Sequence, residues 1–432
     1  MRGLWALRGP SGYSGSDERA GEMRGGEVRR SLELLAGAGV AAAATLAYVI
    51  WVGRTLGPAA YGEFSTALAI VYFFAIVLSP LSPAIARVAA RVTASGREST
   101  VASFRRMVQR RLVVASAVVL PLLLLGSIPV ARALRFESAY PVALAFTAAI
   151  AFSVLGVDRG FLQGLFRFRS YNANILVEAG IRLGLAVALL QVFPSAVAAL
   201  AAYVAALVAA ETLAGAELEM RLPKGEPASP AVLKEVRRLL GPMSVLMFAA
   251  AVYQNLDMMT VKRWFDPIDA GMYGASLALA KMFGVVFTPL WVLIGPILSR
   301  DSVAGRPLRG TALRVAAVYV ALCAVALLAL FFRGGEIVAI LFGGAFVPGA
   351  WLAFHLGLVS TMMHTSLLLC QVFVTTEEFG FLGYFVAAAA VQVLGLLFFH
   401  GSLVEILAVL YAAQAVLLLP ILLKTALAAR GA

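Results

Sequence analysis

The feature that most constrains this chain is a series of apolar runs, separated by short basic or Gly/Pro-containing connectors. Each run is about twenty residues long, which is the length that crosses the hydrocarbon core of a bilayer as a helix. Hydrophobic residues make up 61% of the chain and charged residues 13%, whereas soluble domains have roughly 45–50% apolar and about 25% charged residues. The bilayer is therefore the solvent in which we expect this chain to fold.

The apolar runs predict twelve membrane spans with both termini in the cytoplasm. The spans cover residues 32–52, 63–83, 112–131, 139–157, 173–193, 195–214, 239–259, 272–294, 314–332, 351–373, 379–399 and 403–423. Of the 35 Lys and Arg residues, two fall within spans, and only six fall in outer segments: Arg54, Arg132, Arg135, Lys262, Arg263 and Arg333. An excess of Lys and Arg on the inner side fixes orientation. The formal charge of +12 therefore reflects topology and contact with anionic lipid rather than nucleic-acid binding.

An internal repeat relates the two halves of the chain. A shift of 209 residues aligns the thirty residues from Val52 with the thirty from Val261 without a gap, and ten positions are identical. The identical pairs include Arg54 with Arg263, Pro58 with Pro267, Gly62 with Gly271 and Pro80 with Pro289. The shift moves the pattern by six spans, so the halves have the same orientation. Transporters built from parallel repeats commonly bind substrate between the two bundles.

The fold class we predict is an all-α polytopic membrane protein, with two parallel six-helix lobes around a central cavity. The predicted divisions are a disordered cytoplasmic leader (1–30), an N-terminal lobe (31–216), a cytoplasmic linker (217–238) and a C-terminal lobe (239–432). The basic stretch 87–111 is read as a positive inner loop, with an amphipathic helix on the inner membrane face as the alternative. Prolines predict bends in spans 2 and 8: Pro80, Pro83, Pro289 and Pro296.

Charged side chains within spans are costly and usually face an interior cavity. Asp257 lies in a polar patch of span 7, and Lys281 lies near the middle of span 8. The two either line the cavity or form a buried pair that fixes helix packing. Glu178 and Arg182 are four residues apart and share one helix face, where they either neutralise each other or reach the cavity. We expect helix-packing roles for His355 and His364.

Catalytic and cofactor-binding motifs are absent from the sequence, which lacks a Walker A loop, a dinucleotide fingerprint and an HExxH motif. Cys323 and Cys370 both fall in apolar spans, so we expect no disulfide, cofactor or metal site. We therefore expect a transporter rather than an enzyme. No outer loop is long enough for a folded domain, which argues against a membrane-embedded glycosyltransferase or polymerase.

Two stretches resemble a known family. The sequence GRTLGPAAYG (53–62), and again residues 254–300 with TVKRWFDPIDAGMYG, resemble the polysaccharide-biosynthesis flippases of the multidrug/oligosaccharidyl-lipid/polysaccharide exporter superfamily. Weaker similarity occurs over 164–183 and 334–350, so the resemblance runs from about residue 31 to the C-terminus. It implies a central, cationic cavity that moves an undecaprenyl-pyrophosphate-linked sugar from the inner to the outer leaflet.

The resemblance also implies a set of candidate cavity residues. A pyrophosphate head group needs fixed cations, and arginine donates to it in bidentate fashion. The candidate substrate contacts are Arg54, Arg182, Arg263 and Lys281, with Asp257 and Glu178 beside them, and Tyr61, Trp264 and Tyr273 as residues that could stack on sugar rings. Asp266 and Asp269 stand where the first half has Gly57 and Ala60, which weakens Arg263 as an anion site.

The implied partners are membrane lipid, the lipid-linked sugar, and glycosyltransferases and a polymerase of the same pathway. The alternative function is a drug or cation antiporter on the same fold. An antiporter would need a buried carboxylate cluster for coupling to Na⁺ or H⁺, and the first half has only Glu178 in its spans away from their ends.

Overall fold

A computed structural model gives the fold of residues 16–94, 98–222, 230–303, 307–376 and 378–430. Within these ranges the chain is almost entirely helical and has no β-strand. The helices are α1 (Ser16–Leu78), α2 (Leu81–Ala94), α3 (Glu98–Ala133), α4 (Tyr140–Gly164), α5 (Phe168–Val192), α6 (Ala196–Arg221), α7 (Pro230–Trp264), α8 (Pro267–Lys281), α9 (Phe283–Val303), α10 (Leu308–Leu341), α11 (Trp351–Thr375), α12 (Leu382–Phe398) and α13 (Leu403–Arg430). Two short 3₁₀ helices span Gly344–Gly349 and Phe379–Phe381.

The first two predicted spans form one continuous helix with a sharp bend. Gly57 breaks α1 with a φ of 70° and a ψ of 174°, a backbone conformation that glycine adopts without the steric penalty of a side chain. Pro58 then begins the second segment, where its fixed φ suits a helix start. The equivalent turn of the second half separates α7 from α8, with Asp266 at the N-cap and Pro267 at the first helical position.

The fold prediction is confirmed. Nine stretches of the described residues are long and apolar enough to cross a membrane. One of them, Gly39–Ala94, contains the two spans joined at Gly57. Span 7 (α7) and span 8 (α8 with α9) complete the twelve. Helices α1 to α6 pack against one another, as do α7 to α13, and the two lobes meet mainly where α1 contacts α7 and α8.

Two local features differ from the sequence prediction. Residues 81–94 of the inner connector form α2, an amphipathic helix that buries Ala84, Ile85, Val88 and Ala89. Helix α1 ends before Pro80 as predicted, but span 8 breaks at Met282 rather than at a proline. The first difference follows from packing, because α2 lies against α4 and α7.

The predicted leader and linker fall partly outside the described residues. Residues 1–15 of the leader lie outside, while residues 16–30 are helical and form the start of α1. Of the linker, 217–221 belongs to α6 and 230–238 belongs to α7, and 223–229 lie outside the described residues. The domain boundaries themselves stay a prediction.

Candidate functional site between the lobes

The repeated turns of the two halves pack against each other. A Cβ atom added to Gly271 would lie 1.8 Å from the carbonyl oxygen of Pro58. A Cβ atom added to Gly62 would lie 3.0 Å from the carbonyl oxygen of Pro267. These four residues are the matched Gly and Pro pairs of the repeat, so each glycine packs on the proline of the opposite half. This close approach requires glycine at both positions, and it joins the lobes at the predicted outer face.

The matching of repeat positions continues along the two helices. A Cβ atom on Gly274 would meet the Ser65 hydroxyl at 2.1 Å, and Ser65 and Gly274 are 209 residues apart. Farther along, the Lys281 ammonium lies 4.9 Å from the centre of the Tyr72 ring, and these two residues have the same separation. The second segment of α1 and helix α8 therefore pack around a local twofold axis.

Two cavities adjoin this helix pair. A cavity of about 220 Å³ lies between α1 and helices α8 and α9. A second, of about 310 Å³, lies between the end of α1 and helices α7, α11 and α13 of the C-terminal lobe. Both cavities are lined by Tyr72, Leu277 and Lys281. Lys281 is thus the cation that the two cavities share.

Lys281 occupies the last position of α8, at the break with α9. The negative end of a helix dipole favours a cation at that position. The ammonium donates to the Asn255 side-chain oxygen over 3.2 Å and lies over the Tyr72 ring, an arrangement that stabilises a cation. A lysine held by one neutral amide and one aromatic face can still bind an anion from the cavity.

Asp257 is also on a cavity wall, but it is not the direct partner that the sequence suggested for Lys281. Its Oδ2 atom accepts a hydrogen bond from the Tyr273 hydroxyl over 2.6 Å. Its Oδ1 atom is buried and has no hydrogen-bond partner among the described residues. The Lys281 ammonium instead donates its hydrogen bond to Asn255, which lies two residues before Asp257.

Glu178 and two arginines of the N-terminal lobe form an ion-pair network. Glu178 accepts from Arg182 over 3.0 Å and from Arg159 over 2.9 Å. Arg182 also donates to the Thr45 hydroxyl over 2.5 Å and lies between the rings of Tyr48 and Tyr203. Thr45 lines the first cavity, so Arg182 lies one side chain behind its wall. The Glu178–Arg182 pair was predicted, whereas its second cation, Arg159, was not.

Arg54 and Arg263 lie at the predicted outer face, outside the linings of both cavities. Arg54 donates to the carbonyl oxygens of Ile340 and Leu341 at the end of α10. Arg263 donates to the Ala133 carbonyl oxygen at the end of α3 over 3.3 Å. Each arginine therefore caps a helix of the opposite lobe, where the last carbonyls lack intrahelical partners. In this conformation the matched arginines join the lobes, and their role as substrate contacts stays a prediction.

The three candidate stacking residues lie in different surroundings. Tyr61 is buried and lines the first cavity, with its ring against Phe342 and Phe346. Tyr273 is buried and its hydroxyl is used by Asp257. Trp264 is exposed at the predicted outer face and stacks on His400, with ring centres 4.1 Å apart. Of the three, Tyr61 alone is a cavity residue.

Tyr72 and His364 are among the cavity residues that the sequence reasoning missed. Tyr72 looks like any aromatic of an apolar span, but the 209-residue repeat already matches it with Lys281. His364 lines the second cavity and accepts or donates a hydrogen bond with the Tyr319 hydroxyl over 3.1 Å. It also stacks on Phe287, so the expected packing role describes only part of its position. No sequence signal distinguished it from His355, which contacts Tyr411.

Comparison with known proteins identifies the family. The family model described as "Polysaccharide biosynthesis protein" matches residues 29–301, which is more than half of the chain. The chain belongs to this family. A search of curated protein sequences found no match. The family match covers the whole N-terminal lobe, the turn between α7 and α8, and Lys281.

Solved structures show the same fold over nearly the full length. An inward-facing multidrug resistance MATE family transporter of the MOP superfamily has a TM-score of 0.75 at 14% identity, covering 90% of this chain and 95% of that one. The outward-facing conformation of such a transporter has a TM-score of 0.61 at 15% identity, covering 92% and 95%. A MOP superfamily transporter from Pyrococcus furiosus, described by the reverse polarity of its binding pocket, has a TM-score of 0.55 at 17% identity, covering 92% and 95%. This is the fold of MOP superfamily transporters. That the chain catalyses no reaction stays a prediction.

Proposed function

We propose that this protein is a flippase that carries an undecaprenyl-pyrophosphate-linked oligosaccharide from the inner to the outer leaflet of the cytoplasmic membrane. The observation that carries the proposal is Lys281, a cation shared by two cavities at the interface of the lobes. A pyrophosphate loses its hydration on entering the membrane, so it needs a fixed cation in the cavity. The family to which the chain belongs is one of polysaccharide biosynthesis, which supports a sugar-bearing substrate.

The arrangement of the lobes supports transport by alternating access. The lobes are joined where the repeated Gly and Pro residues interlock, and the cavities lie farther along the same interface. In this conformation the predicted outer end is closed. Separation of these turns would open the cavity to the outer side, and parallel-repeat transporters commonly move as two rocking bundles. The polar wall of the first cavity, with Tyr61, Ser65 and Thr45, offers hydroxyl groups to a sugar.

A deletion strain tests this proposal. Without the protein, the lipid-linked oligosaccharide should accumulate on the cytoplasmic leaflet, where an externally added, impermeant glycosidase cannot reach it. Surface polysaccharide should be lost, and a plasmid copy of the gene should restore both. Normal surface polysaccharide in the deletion strain would refute the proposal. The proposed partners are the glycosyltransferases and polymerase of the pathway, which would act immediately before and after this step.

A drug or cation antiporter is the second candidate, and one observation favours it. The buried carboxylate of Asp257 lines a cavity and has an oxygen without a hydrogen-bond partner among the described residues, which is a place where a cation could bind. Under this alternative, cells that overproduce the protein expel cationic dyes, and Asp257→Asn abolishes the expulsion. Under the flippase proposal, overproduction leaves dye accumulation unchanged.

A further inference from the structure

Helix α3 is the least covered span of the described residues. Only 6% of its most apolar window is buried, against 28–67% in the other candidate spans. Its main neighbours are α4 and α2. Most of the surface of its apolar part therefore faces lipid, whereas near the start of the helix Val101, Phe104 and Arg105 are buried.

Four arginines near this end of α3 divide into two groups. Arg105 points into the lobe and forms two hydrogen bonds with Asp158, of 2.9 and 2.7 Å. Arg106, Arg110 and Arg111 are exposed. Arg106 contacts only the Ser103 hydroxyl, at 3.4 Å, and no ion pair joins the three exposed arginines to a carboxylate of the described residues. Three guanidinium groups thus face the membrane surface without an anionic partner.

These arginines form one end of a groove on the outer surface of α3. This groove is shallow and open, because all of its described lining residues belong to α3. Residues four apart lie next to each other along one ridge of a helix. Here each such ridge continues from arginine to small aliphatic side chains. The groove residues that matter for binding are Arg106, Arg110, Arg111, Val114, Ala115 and Val118. From Arg110 to Val118 the helix rises by about 12 Å, which leads from the head-group level into the hydrocarbon core.

The equivalent helix of the second half lacks this feature. Helix α10 carries Arg309 and Arg314 near its start, and Arg309 lies 3.6 Å from the carboxylate of Glu378. The 209-residue shift places Tyr319 and Val320 opposite Arg110 and Arg111. The arginine cluster is therefore a property of α3 alone and does not follow from the fold or from the repeat.

We propose that the α3 groove is a binding site for an anionic glycerophospholipid. The lipid phosphodiester is held by the three guanidinium groups, and one acyl chain lies along Val114, Ala115 and Val118. Arginine suits this role because its planar donors match phosphate oxygens. Basic clusters beside a span attract anionic lipid at about 1 kcal/mol per residue. None of the residues of this groove lines either of the two cavities beside Lys281, so the site is separate from the proposed substrate site.

Native mass spectrometry of the full chain in a neutral detergent tests this site directly. Phosphatidylglycerol is titrated in, with phosphatidylcholine as the zwitterionic comparison. The wild-type protein should bind phosphatidylglycerol at least tenfold more tightly than phosphatidylcholine. The triple variant Arg106→Gln, Arg110→Gln, Arg111→Gln should lose that preference. Arg314→Gln removes an exposed arginine from the start of α10 and serves as the matched control, with affinity within about twofold of wild type.

A second variant tests the groove while it keeps every charge. Ala115→Trp fills the apolar part of the groove on an exposed surface, so it should fold normally and weaken phosphatidylglycerol binding several-fold. Soluble glycerol phosphate should bind neither protein, because the acyl chain is part of the ligand. Equal affinity of the triple variant and wild type would overturn the proposal. So would an equal loss in Arg314→Gln, or unchanged binding in Ala115→Trp.

Discussion

In the N-terminal lobe, Glu178 lies between two guanidinium groups, and Asp158 accepts from Arg105 and Gln109. In the C-terminal lobe, Lys281 faces two cavities with a neutral amide and a tyrosine ring as its neighbours. The two halves match in sequence at their turns but not in their buried charges. Charges that pair directly with one another hold a lobe together, whereas Lys281, which has Asp257 nearby but forms no direct ion pair among the described residues, is available to a substrate. We infer that the N-terminal network is structural and that Lys281 is functional.

The largest expected effect is on the stability of the N-terminal network. Glu178→Ala leaves Arg159 and Arg182 buried without their carboxylate, and removing one partner of a buried ion pair costs about 3–5 kcal/mol. Thermal unfolding of the purified protein should show a much lower midpoint, or no folded protein should be recovered. Lys281→Met is the control in the other lobe, and it should unfold near the wild-type midpoint. A Glu178→Ala protein as stable as wild type would show that the network is not structural.

The second effect concerns the closed outer turns. Gly271→Ala places a methyl group 1.8 Å from the Pro58 carbonyl oxygen. Gly62→Ala is the matched variant with more room, because its methyl group would lie 3.0 Å from the nearest backbone atoms. Overpacking of this kind costs about 1–3 kcal/mol and should drive the turns apart. An impermeant maleimide should therefore label Ser65→Cys faster in the Gly271→Ala background than in the Gly62→Ala background. The native Cys323 and Cys370 are buried, which limits background labelling. Equal rates would contradict the interlocked turns.

A smaller effect is expected from the paired arginines. Arg54→Gln combined with Arg263→Gln removes hydrogen bonds to carbonyls of the opposite lobe, each worth about 0.5–1.5 kcal/mol. Ser65→Cys should be labelled moderately faster, while the affinity for substrate stays unchanged. Arg333→Gln is the control, because Arg333 is exposed and pairs with Glu336 of its own helix. A loss of substrate affinity with an unchanged labelling rate would show that both arginines contact the substrate.

The smallest effect is at the inner end of the C-terminal lobe, where Glu378 accepts from Lys424 over 2.9 Å and lies 3.6 Å from Arg309. The hydrogen bond from Lys424 lowers the pKa of Glu378 from its ordinary value of 4.5. The contribution to stability is therefore present above pH 4.5 and is lost as the pH falls through the lowered pKa. Because the pair is exposed, Glu378→Gln should cost under about 1 kcal/mol. A loss of several kcal/mol in thermal unfolding at neutral pH would contradict this.

Much of the fold could be predicted from the sequence, because a membrane dictates the length of each apolar run and the position of its basic residues. Lys281 was identified by the same physics, as a cation inside an apolar span. Arg54 and Arg263 line neither cavity and contact the opposite lobe, so their role as substrate contacts stays a prediction. Lys281 lies fourteen residues beyond Pro267, the first residue of α8, or about 21 Å along that helix from the turn that follows Arg263, too far for the two cations to share one head group.

Other contacts could not be predicted because they join distant parts of the chain. Arg159 reaches Glu178 from α4, and Asn255 takes the bond that Asp257 was expected to accept. The pairing of Tyr72 with Lys281 could have been predicted, since the repeat matches these two residues. What the sequence lacked was the fact that matched residues of the two halves face each other across the interface.

The most direct test of the account is flipping by the purified protein in vesicles. A fluorescent, pyrophosphate-linked polyprenyl sugar is placed in proteoliposomes, and an impermeant quencher reports the fraction on the outer leaflet over time. Wild-type protein should move the lipid between leaflets, Lys281→Arg should retain activity, and Lys281→Met should be folded but at least tenfold slower. Flipping by Lys281→Met at the wild-type rate would contradict the claim that this lysine receives the head group.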